Sequence, residues 1–155
     1  MQADLLDVLT RLASASNIRC MRVTPPFDGL DQFDYGLRKA LDPYFDWQEF
    51  GSLLLQSTPP NTLLFAEGTF ELQFALFRIP DEENAVFMIG PWATAERSEK
   101  SRSWARRHIG EKGDDAVQSY YNGVRILSGS GFQASIVAVV SMMFHKEEFR
   151  LDQQK

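Results

Sequence analysis

A chain of 155 residues with 44% hydrophobic content is long enough for one domain that buries roughly two-thirds of its unfolded surface. Its net charge of −5 and pI near 5.0 argue against a grip on nucleic acid, because that affinity scales with the phosphates neutralised by Lys and Arg. The single cysteine, Cys20, excludes an internal disulfide framework and a zinc site on paired thiolates. With no run of about 18 apolar residues and no basic, apolar leader at 1–4, the expectation is a cytoplasmic protein that makes no membrane contact.

Along the chain, Leu5, Leu6, Val8, Leu9 and Leu12 recur at helical spacing and predict an amphipathic helix over 4–13, ending near Asn17. A strand over 18–23 and a turn-rich exit at 24–29 follow. A short helix is expected over 33–41, closed before Pro43, and another over 45–56. The segment 57–61 then separates that helix from a strand over 62–66.

Residues 70–92 carry the strongest pattern. Phe70, Leu72, Phe74 and Leu76 alternate with Glu71 and Gln73, as in a strand with one buried face. After a loop at 81–84, the run 85–89 is apolar throughout, as in a central strand covered on both faces, and Gly90-Pro91 should end it because proline cannot donate to the ladder. With 62–66 these arms make an antiparallel meander. The expected fold is α+β: a central antiparallel sheet with helices on its faces, the plan of small sensory domains.

Ser98 is a candidate N-cap for a helix holding Trp104 and His108 and stopping near Gly110 or Gly113. A further helix should run from Asp114 or Asp115 to about Leu127. Lys100, Arg102, Arg106 and Arg107 read as a solvated face beside Glu96, Glu99 and Glu111. The last helix, from Phe132, is apolar around most of its circumference. Packing one side on the sheet leaves Ile136, Val140 and Met143 for a second copy, so a homodimer is expected. The polar tail 150–155 should fray.

Few residues suggest chemistry. His108 and His145 lack metal-ligand spacing, so no metal or cofactor is expected. Gly129-Ser130-Gly131 is a helix connection, and Cys20 is a small buried strand residue. No phosphate loop or dinucleotide fingerprint occurs. The chain is not expected to be an enzyme; the alternative is an enzyme of unfamiliar type using Glu67 or His108 as acid or base. The aromatic load is high, with twelve Phe, four Tyr and three Trp, so most rings must pack the core. Trp92, Trp104, Tyr120 and Tyr121, with Phe65 and Phe74 on the sheet, are the candidates for lining a ligand pocket between the sheet and the helices after Trp92.

Leu63-Leu64-Phe65, Phe70-Glu71-Leu72-Gln73-Phe74, the 79–83 loop, Met88-Ile89-Gly90-Pro91-Trp92 and Tyr120-Tyr121 form a series. It resembles the N-terminal sensory region of bacterial AraC-family transcription regulators, and the similarity runs over 45–149. The resemblance implies a GAF- or PAS-like domain that binds a small-molecule effector, dimerises, and signals through its terminal helix to a DNA-binding domain. No helix-turn-helix pair follows Lys155, so 1–155 is expected to be a single sensory domain without direct DNA contact. A purely structural dimerisation module is the blander alternative.

Overall fold

The computed structural model describes residues 2–33, 37–145 and 147–154. Its centre is a five-stranded sheet in the order β1-β4-β3-β2-β5. The strands are β1 (Cys20–Val23), β2 (Thr62–Glu67), β3 (Gln73–Arg78), β4 (Val86–Trp92) and β5 (Arg150–Gln154). β2, β3 and β4 form the expected meander, with Leu64 opposite Leu76 and Leu76 opposite Met88. β1 adds antiparallel to β4. β5 adds parallel to β2, with Leu63 opposite Leu151, so the sheet is mixed and 150–154 pair rather than fray. Residue 155 lies outside the described residues.

Helices cover both faces. On one, α1 (Gln2–Ala15) and α5 (Gly131–Ser141) enclose a core of Leu9, Phe65, Phe77, Ile89, Trp92, Ile136 and Val140. On the other, the segment 27–33, α3 (Trp47–Ser57) and the end of α4 (Glu99–Asn122) enclose Phe27, Phe33, Leu64, Phe74, Leu76, Met88 and Tyr121. β3 is therefore buried on both faces, not one: Phe74 and Leu76 serve the second core, Ala75 and Phe77 the first. Its strand also starts at Gln73, because Phe70 and Glu71 lie in a short 3-10 turn with positive φ.

β4 does not end at Gly90-Pro91. The strand continues to Trp92 through a bulge: Ala75 pairs Ile89, yet Gln73 pairs Trp92, so β4 carries one extra residue there. Gly90 permits this, since a Cβ would lie 2.8 Å from the Gln73 carbonyl oxygen and the residue sits at φ +138°. One inserted residue turns every later side chain to the other face. Trp92 consequently enters the α1–α5 core, edge-on to Phe132 at 5.2 Å.

The expected helix over 33–41 is shorter: a 3-10 turn at Leu30–Gln32 and α2 (Leu37–Leu41), with 34–36 outside the described residues. Asp46 caps α3, accepting from the Glu49 amide at 3.0 Å, and at the far end Arg78 donates to the carbonyls of Leu55 and Thr58. Ser98 caps α4 as predicted, its Oγ accepting from the Ser101 amide at 3.1 Å. α4 is broken at Gly110, where φ 79° and ψ 176° are not helical, and its second part stops at Asn122 rather than near Leu127. Beyond it the chain returns to the sheet, with the Leu127 amide donating to Ala93 O at 2.7 Å. Across the Gly110 break, Asp114 is buried and meets Arg97 at 2.6 Å, with Arg106 at 3.4 Å and Arg102 at 3.9 Å. Arg102 and Arg106 are thus turned inward on a carboxylate, not wholly part of a solvated face.

Among the described residues, no helix is long and apolar enough to cross a membrane, and no group of three His, Cys, Asp or Glu side chains is placed to hold a metal ion.

Candidate functional site

The alternation that makes β2 and β3 strands sends Ala66, Phe74 and Leu76 to the face roofed by α2 and α3, and Met88 of β4 joins them. Helical spacing turns Phe50 and Leu54 of α3 toward the same floor, while Phe33 and Leu37 close one side. Between floor and roof lies an apolar cleft of about 240 Å³. Phe33 forms much of one wall, its ring 5.0 Å from Phe50 and 5.7 Å from Phe74. Arg38 and Glu67 are the charged side chains along the cleft. Arg38 lies over the Phe45 ring at 5.2 Å.

The turn after β2 forms the far wall. Gly68 donates its amide to Leu72 O at 2.7 Å, and Phe70, at φ 66°, turns its ring against Trp104 of α4 at 5.8 Å and 72°. Beyond this turn an outer groove of about 340 Å³ is lined by Glu67, Phe70, Glu71, Lys100, Ser101 and Trp104. Glu67, Gly68 and Phe70 border both spaces. Glu71 ties the turn to the start of α4, accepting from the Ser98 amide at 3.0 Å. His108 stacks on Trp104 at 4.4 Å, its Nδ1 2.8 Å from the Trp104 carbonyl.

The residues singled out from the sequence divide between the two faces. Phe74 lines the cleft and Trp104 the outer groove. Phe65 and Trp92 belong to the opposite core, under α1 and α5. Tyr121 is buried beside the cleft's core and its hydroxyl donates to Ala95 O at 2.9 Å; burial first, then the negative charge of Glu71, raise its pKa above 10.0. Tyr120 packs against the same core. Ile136 and Val140 are 1% and 0% exposed beneath the sheet, so neither is available to a second molecule; Met143 is partly buried against the same core. Cys20 is partly buried, and burial pushes its thiol up to about 11.

The cleft lies between the sheet and α2–α3, which precede the sheet in sequence, and not between the sheet and the helices after Trp92. Phe33, Leu37, Phe50, Leu54 and Met88 are the lining residues that sequence reasoning missed. The cluster Tyr44, Phe45, Trp47 and Phe50 was a signal for them, but its helical phase alone does not say which sheet face it meets.

An α+β domain with an apolar cleft beside a charged groove is what the geometry defines. Compared with known proteins, the chain matches no family model, no curated protein and no solved structure.

Proposed function

We propose that this protein is a regulatory domain that senses a small molecule in the cleft between β2–β4 and α2–α3, as its resemblance to AraC-family sensory regions implies. The observation that carries the reading is the cleft itself. It is concave and apolar, walled by aromatic rings from separate elements, with charges at Arg38 and Glu67 to orient a bound molecule. The space is equivalent to about eight waters at ~30 Å³ each, enough for a ligand with a single ring.

In this reading, occupancy is transmitted through β2. Ala66 lines the cleft and pairs with Gln154 of β5, so a shift of the β2 end moves the C-terminal strand and α5 before it. The domain pairs with a second copy of itself. That contact gives up Ile136 and Val140 and keeps Met143, with the 65% exposed Met142 beside it.

A thermal-shift screen of ring-bearing metabolites tests the proposal. A true ligand raises the melting temperature with the logarithm of its concentration, and Leu54→Trp, which fills the cleft from α3, removes the shift. A broad screen without such a compound returns the domain to a structural dimeriser. The enzyme alternative retains Glu67, which shares the outer groove with Glu71, Lys100 and Ser101. Recovery of the ligand unchanged after long incubation separates binding from turnover.

A further inference from the structure

The charges around the outer groove are not balanced in the way the whole α4 surface suggests. Arg97 is held by Asp114 at 2.6 Å, and Arg102 and Arg106 bend toward the same carboxylate. Among the described residues lining the groove, the charged groups are then Glu67, Glu71 and Lys100, two carboxylates against one ammonium. Their surroundings are aromatic. Phe70 and Trp104 meet at 72° to form a corner, and Trp104 remains 38% exposed although His108 stacks on it. A corner of ring faces beside carboxylates attracts an organic cation, through the negative face of each ring and through charge-assisted hydrogen bonds.

Glu67, Gly68 and Phe70 border the inner cleft as well, so the two spaces adjoin and Glu67 is within reach of a molecule seated in the cleft. We infer that the ligand is a small amphiphilic cation: a single apolar ring seated among Phe33, Phe50, Phe74 and Met88, joined by a short arm to an ammonium group held by Glu67 at the Phe70–Trp104 corner. The inference rests on the cleft being the binding site and adds the chemical class of what enters it. An anionic headgroup at that corner is disfavoured, because Glu67 and Glu71 line it against Lys100 alone.

Three probes of nearly one shape decide the matter by calorimetric titration of the full chain: phenethylammonium, phenethyl alcohol and hydrocinnamate. The expected order is ammonium tightest, alcohol about tenfold weaker, and carboxylate weakest, with only the ammonium losing affinity as salt is added. Glu67→Gln should bring the ammonium down toward the affinity of the alcohol and weaken the alcohol by much less, so that the tenfold preference closes. Trp104→Ala should weaken the ammonium selectively. If the alcohol or hydrocinnamate binds as tightly as phenethylammonium, or the preference survives Glu67→Gln, the cationic assignment is wrong while the cleft stands as a site. Absence of binding by all three probes overturns both.

Discussion

Cys20 shows how much one side chain's surroundings decide. It lies on β1, donates weakly to the Leu9 carbonyl at 3.9 Å, and is desolvated enough to move its thiol from 9.0 to about 11, a hydrogen bond with Thr10 acting the other way. Alkylation by iodoacetamide at pH 8 should therefore be about tenfold slower in the folded than in the denatured chain, since a ~100-fold smaller thiolate fraction is partly offset by the greater nucleophilicity of a more basic thiolate. The same shift has a signed effect on stability. The folded pKa exceeds the unfolded one, so the contribution is complete below pH 9 and is lost as pH rises toward 11. Melting temperatures measured across that interval should fall less steeply in Cys20→Ala than in the parent, and equal slopes would show that the thiol is solvated. At Gly90 the role is fixed by the close approach of a backbone carbonyl. Nothing in its immediate sequence announces that a neighbouring strand's carbonyl lies where a Cβ would be.

Among the elements, α4 depends most on a tertiary contact. Along a straight helix Arg106 and Asp114 would be separated by about 12 Å of rise. With the kink at Gly110, Arg97, Arg102 and Arg106 instead converge on a carboxylate that is 2% exposed. Removing that charge strands the buried Arg97 guanidinium. Asp114→Asn should lower the unfolding free energy in urea by about 3–5 kcal/mol, the usual cost of breaking a buried ion pair from one side. A midpoint matching the parent would mean that the cluster is wet. The sequence showed the helix start at Ser98, the stop near Gly110 and the basic cluster, but the acid that gathers that cluster lies beyond the break. β5 was illegible for a related reason. Arg150-Leu151-Asp152-Gln153 has no apolar alternation to mark it, and it is a strand only because β2 offers an edge.

For the molecule as a whole, α5 commits its buried side to an intramolecular core. Ile136 is 1% exposed among the residues of the first core, so Ile136→Ala should cost about 2–5 kcal/mol at every protein concentration. Urea titrations at widely separated concentrations, with light scattering on the eluted species, check this. A loss of stability that vanishes at high concentration would move Ile136 to an interface after all.

The chain by itself determined that a helix leads, that a three-strand meander forms the middle, and that a largely apolar helix comes late, because each follows from local periodicity and capping. It also marked Phe74 and Trp104 as residues beside open space. Only the tertiary structure decided the rest. The bulge at Gly90-Pro91 sent Trp92 to the far face, both faces of β3 found helices to cover them, and the cleft opened beneath α2–α3. Period-2 alternation says that two faces differ, but not what will cover each, and one inserted residue exchanges them.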